Sequence, residues 1–261
     1  MKKILIVVAG LGLVSGVWAQ PKPKSQKEAE ALMAVQTAAD PDAQLAAIEN
    51  VLTKFADTQY KPMLLGMAVQ VSQQKGDAEK LAIYAERALK EDPKSYAVML
   101  ILAQAIAQKT REFDLDREEK LKQAEALANE GIALSKAAAK PRPDITDEQW
   151  ANAKKDLEAQ GYESLGIAAL VRKKYDDAIV QFKKAVEAQG TPEPATKVRL
   201  AAAQNAAGDF DSAMVVLDEV LKDPQLHAAI RQVAGQEKLK ATQGKANPSV
   251  CSELLAKKLT P

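Results

Sequence analysis

Aromatic residues make up only 4% of this chain, and it has a single histidine and a single cysteine. So few aromatics do not build a β-sandwich, whose strands favour aromatic and β-branched side chains. One histidine (His227) and one cysteine (Cys251) cannot assemble a His/Cys metal centre, which needs several such ligands. His227 is read as a surface or packing residue. Cys251 can form no internal disulfide and is read as a free thiol, with an intermolecular disulfide as the alternative. An excess of charge is missing too, because 36 basic residues face 35 acidic ones. That balance gives no electrostatic pull toward nucleic acid or an anionic membrane surface. No Walker loop, dinucleotide fingerprint, Gly-x-Ser-x-Gly or zinc-protease motif occurs. Asp114-Leu115-Asp116-Arg117-Glu118-Glu119 alternates acids like a calcium loop but puts Glu119 where that loop needs glycine. The expectation is no metal, no cofactor and no catalytic residue: a non-enzyme.

The residues that are present read as an exported helical chain. Lys2 and Lys3 precede an apolar stretch over 4–17, and Val17-Trp18-Ala19 suits a cleavage site. The stretch is shorter than the roughly 20 residues of a transmembrane helix. Residues 1–19 are expected to be a signal peptide cleaved after Ala19, with an uncleaved anchor as the alternative. The product is then periplasmic or secreted, with no integral membrane segment and a formal net charge of −1 once Lys2 and Lys3 are gone. Residues 20–24 read as a linker rich in proline and lysine.

From Ser25 onward the apolar residues recur with helical period. The turn signals predict helices over 26–38, 41–55, 60–75, 78–91, 96–109, 117–138, 147–173, 175–188, 192–207, 210–222 and 224–240, with a weaker one near 249–258. Ser25-x-x-Glu28 and Thr146-x-x-Gln149 have the form of capping boxes, in which side chain and backbone satisfy each other's orphan amides. Asp40-Pro41 and Asp223-Pro224 each place an acceptor before a proline at a first helical position. Gly76-Asp77 and Gly208-Asp209 end one helix and cap the next within two residues, which forces the neighbours antiparallel. Residues 110–116 and 139–145 lengthen two connections.

Inside 161–190 a spacing rule appears. Tyr162-x2-Leu165-Gly166-x2-Ala169 opens one helix; Tyr175, Ala178, Phe182 and Ala185 share a face of the next; Gly190 and Pro192 close the unit. This resembles the tetratricopeptide repeat, a helix–turn–helix of about 34 residues with the pattern W-x2-L-G-x2-Y, A-x3-F and a closing proline. Tyr162 stands in place of the tryptophan and Ala169 in place of the tyrosine. Residues 62–95 repeat the pattern with Leu65, Ala68, Gly76, Leu81, Ala85 and Ala88, ending in Asp92-Pro93. Residues 194–227 do so with Leu200, Ala201, Gly208, Phe210, Ala213 and Leu217. Looser copies span 25–58 and about 96–135, the second interrupted by 110–116. The resemblance implies an all-α, right-handed α-solenoid of antiparallel helix pairs: about five repeats plus a capping helix over 25–242, then a tail over 243–261.

In this family the first helix of each repeat lines a concave groove. Carried over, the groove-facing positions fall on Gln70, Gln73, Gln74, Gln104, Gln108 and Asn205, amides that can both donate to and accept from an extended peptide backbone. The family's carboxylate clamp is absent, because Gly66, Gln70, Leu100 and Gln104 occupy its sites. The resulting expectation is a non-catalytic interaction or scaffold module of the bacterial envelope that holds a peptide or protein segment in its groove. A structural subunit that self-associates is the alternative. An accessory hydrolase is a third reading, one that would need a convergent polar pocket.

Overall fold

The computed structural model describes residues 22–190 and 192–246. The signal segment with its cleavage point at Ala19, the helix expected near 249–258 and Cys251 lie outside the described residues.

Eleven helices follow one another, and no strand occurs among the described residues: α1 (Gln26–Gln36), α2 (Pro41–Lys54), α3 (Lys61–Lys75), α4 (Ala78–Glu91), α5 (Tyr96–Lys109), α6 (Arg117–Ala137), α7 (Asp147–Val171), α8 (Tyr175–Ala188), α9 (Pro194–Ala207), α10 (Phe210–Leu221) and α11 (Ala228–Ala246). Each helix packs on the next to form an α-solenoid of antiparallel pairs, and first helices also meet, α3 on α5, α5 on α7 and α9 on α11. One pair cannot bury its apolar face alone, so the stack is the unit of stability. The core runs along it in three patches: around Ile48, Leu64 and Ala85, then around Phe182, then around Leu217 and Ala234.

The tight turns follow from their residues. Gly76 and Gly208 take left-handed φ values of 69° and 86°, where a side chain would be strained. Asp77 and Asp209 then accept from the backbone N–H of Lys80 and Ser212. The α7–α8 turn makes the same pair of backbone bonds with Lys173 at φ 62° and no glycine, and α7 ends at Val171, two residues before the expected 173. Thr146 and Gln149 close their capping box at 3.1 and 2.9 Å.

Two expected caps differ. Ser25 accepts from the Glu28 N–H at 3.1 Å, but the Glu28 carboxylate reaches past Ser25 to the Lys24 N–H and accepts the Thr58 hydroxyl at 2.6 Å. Glu28 is fully buried and ties α1 to the loop before α3, a long-range demand that outweighs the local box. Asp223 does not cap a helix at Pro224. Its carboxylate accepts from the Gln225 N–H in a turn, and α11 begins four residues later, where His227 Nδ1 accepts from the Ala229 N–H. Arg231 holds that turn by donating to the carbonyls of Leu221 and Asp223. α11 runs on to Ala246, past the expected 240, because Gly244 lets the helix lie against the Phe210 ring.

α6 and α7, at 21 and 25 residues, outgrow the other helices. At 1.5 Å per residue α7 spans about 37 Å. The long pair closes through Gly161 against Ile132, through Trp150 donating to the Ala138 carbonyl at 3.2 Å, and through Lys136 with Glu158 at 3.2 Å.

Candidate protein-binding groove

The signature residues occupy the packing positions that their sizes suit. Gly166, Ala178, Phe182, Ala185, Ala213 and Ala88 are buried, Leu165 is half-buried, and Pro93 is exposed in the closing turn of the second pair. A Cβ at Gly166 would lie 2.7 Å from the Phe182 ring, so the glycine is what admits the aromatic between α7 and α8. Tyr162 is half-buried between two cations, with Lys136 and Lys184 5.7 and 5.5 Å from its ring centre. Its hydroxyl accepts from Lys136 at 3.2 Å.

The six candidate groove residues fall into two groups. On α3, Gln70 is half-buried and Gln73 and Gln74 are exposed, as is Gln108 on α5, and these four side chains form no hydrogen bond among the described residues. Gln70 and Gln74 continue a stripe begun by Met63 and Met67 at spacings of four and three, one face of the helix.

Gln104 and Asn205 are engaged within the chain. Gln104 accepts from Gln160 and donates to Glu163, both at 3.2 Å, so α5 is bridged to α7. Arg199 of α9 pairs with the other oxygen of Glu163, extending the bridge over three first helices. Asn205 donates to the Glu237 carbonyl at 2.9 Å and its carboxylate at 3.0 Å, which fastens α11 across the end of α9. Gln160, Glu163, Arg199 and Glu237 were not singled out from the sequence. Their partners lie 32 to 59 residues away, and no local spacing announces such contacts.

Glu163 is almost fully buried, and burial pushes its carboxyl up from the ordinary 4.5, against the pull of Arg199 and with the push of the Glu193 charge. The sign of the consequence is fixed. The folded chain holds this proton more tightly than the unfolded one, so stability is greater below pH 4.5 and falls as pH rises through the raised folded value. Glu163→Gln keeps the shape without the charge. It is expected to remove that part of the slope and to stabilise the chain at neutral pH relative to acid. Urea midpoints of both chains at pH 4 and pH 7.5 check this, and parallel profiles would place the titration elsewhere.

The other polar features have simpler partners. Asp114 and Asp116 pair with Lys120 at 3.7 and 2.9 Å, and no group of three metal-ligating residues forms among the described residues. No helix among them is long and apolar enough to cross a membrane.

No protein-family model matches the chain, and no curated protein matches it either. Among solved structures it is similar to a thermophilic TPR protein of Thermus thermophilus, with a TM-score of 0.54 and 17% identity, covering 81% of this chain and 99% of that one. This likeness establishes the tetratricopeptide-type fold.

Proposed function

We propose that this chain is a non-catalytic protein-interaction scaffold of the bacterial periplasm or envelope, holding an extended peptide or protein segment against α3 and α5. The observation that carries this reading is the set of four amides, Gln70, Gln73, Gln74 and Gln108, without side-chain partners among the described residues, on two first helices that pack together. Each offers a donor and an acceptor to a peptide backbone at little geometric cost. Because Asn205 is tied to α11 and Gln104 to Glu163, the accessible surface is the N-terminal half of the array. An acid or base poised for chemistry has no place in this mechanism, which is capture by shape and amide pairing.

The test uses residues 20–261 as an immobilised bait against an envelope extract, with a second bait carrying Gln70→Ala, Gln73→Ala, Gln74→Ala and Gln108→Ala. Gln104 stays, since its loss would disturb the Glu163 bridge. A partner held by the first bait and weakened about tenfold or more on the second, at equal helicity, is the expected result. Equal capture by both moves binding to another face.

A further inference from the structure

The α3–α4 and α9–α10 turns take two residues, whereas α5 and α6 are joined by seven, residues 110–116. This loop exposes its two large apolar side chains completely, Phe113 at 88% and Leu115 at 107%. It is nevertheless tightly held. The Asp114 N–H donates to the Arg111 carbonyl at 3.2 Å, and the Arg117 N–H donates to the Asp114 carbonyl at 3.1 Å. The Asp114 carboxylate accepts from the Arg111 N–H at 3.1 Å, Arg117 donates to the Glu112 carbonyl at 2.9 Å, and Lys173 pairs with Glu112. A braced loop that keeps a phenylalanine and a leucine in water forgoes the burial that drives folding, and needs another surface to recover it.

Such a surface lies beside it. α4 and α5 alone line a cavity of about 330 Å³ with an apolar floor that includes Ala82, Ile83, Leu102 and Ile106. The groove is open on one side, and its volume exceeds the roughly 150 Å³ of a cavity that takes up benzene, so there is room for an aromatic ring. The charges match as well. The loop's acids are engaged elsewhere, Glu112 by Lys173 and both Asp114 and Asp116 by Lys120, and Arg111 has no ion pair among the described residues. On the cavity rim Glu79 and Glu86 are likewise without one, and they outnumber the rim's single cation, Lys109.

We propose that two copies of this chain form a two-fold dimer in which Phe113 and Leu115 of each enter the α4/α5 cavity of the other, with Arg111 set against Glu79 and Glu86. Projection and cavity are neighbours, since Lys109 lines the cavity four residues before Phe113. One two-fold axis beside the end of α5 therefore seats both projections reciprocally and closes the assembly, whereas features at opposite ends would give an open chain. A buried phenylalanine covers about 150–250 Å², so two such contacts counted on both partners bury about 600–1,000 Å², below the roughly 1,200 Å² at which standard specific interfaces begin. The dimer is accordingly concentration-dependent.

Sedimentation velocity of residues 20–261 from low micromolar to several hundred micromolar tests this. The expected result is a monomer–dimer equilibrium that both Phe113→Ser with Leu115→Ser and, separately, Ile83→Glu weaken by about tenfold or more. Arg111→Glu alone and Glu79→Lys with Glu86→Lys each weaken it, and their combination restores it. All these positions lie at the surface, and a thermal melt in each variant confirms folding. A monomer at every concentration overturns the proposal, as does a dimer indifferent to the loop pair or a charge swap that restores nothing. Groove capture on α3 and α5 rests on different side chains, so either proposal can fail without the other.

Discussion

Replacing Phe182 with alanine is expected to destabilise the middle of the array by about 3–5 kcal/mol, the range for truncating a buried aromatic. Phe182 is fully buried, and the side chains around it have little to offer a vacated space. Gly166 lies directly against the ring, and most of the other buried residues of that patch are alanines, among them Ala107, Ala124, Ala169, Ala178 and Ala203. Alanines cannot reach into a hole, so only Ile167, Leu200 and the aliphatic residues at the patch's edge can partly close the cavity. The loss should also be local, because a repeat touches only its neighbours. Hydrogen exchange should show α7, α8 and α9 losing protection while α1 to α4 keep theirs. Uniform loss along the chain would mean that the array unfolds as one block. Gly166→Ala supplies a sign test. It is expected to destabilise the native chain, where its Cβ would fall 2.7 Å from the ring, and to stabilise the Phe182→Leu background by filling space and favouring helix.

The features written locally were legible, and those set by distant neighbours were not. Asp77 and Asp209 could be read as caps because glycine and aspartate side by side leave the backbone one compact solution. The Gly166–Phe182 contact could be read because its two residues sit at the spacing the repeat demands. Asp223-Pro224 misled for a physical reason: an aspartate before a proline serves a turn as well as a helix start, and Arg231, eight residues on, decides for the turn. Glu28 has the form of a local cap yet answers to Thr58, thirty residues away. In the groove the residue type was readable and its state was not. Gln74 and Gln104 look alike in the sequence, but only the second meets Gln160 and Glu163, whose positions depend on how α7 lies against α5. Asn205 is withdrawn in the same way by α11.

How α7 lies against α5 depends on a glycine, and Gly161→Val is expected to cost about 2–3 kcal/mol and lower the melting temperature by about 5–10 °C. The Cβ alone would fall 2.4 Å from Ile132 Cγ1, 2.6 Å from its Cδ1 and 3.0 Å from Leu100 Cδ2. Ile132 does not swing clear readily, because it is buried and a β-branched side chain in a helix is held near one χ1 rotamer. Leu100 has no room either: it is fully buried and Gly131, on α6, already yields it space at 2.8 Å. Two glycines on two helices thus admit one leucine and one isoleucine, and a side chain at either glycine strikes them. Ile132→Ala removes the two nearer of these three atoms and leaves only the Leu100 contact. The double variant should therefore be more stable than the sum of the single changes by at least about 1 kcal/mol, as expected for residues in direct contact. Strict additivity in urea denaturation would mean that the helices relieve the clash by moving apart. Gln160 and Glu163 flank Gly161 and reach Gln104 on α5, so helices that part there also break the amide bridge. In that outcome the pH dependence assigned to Glu163 shrinks as the carboxylate meets water, whereas a clash absorbed by side chains leaves it in place.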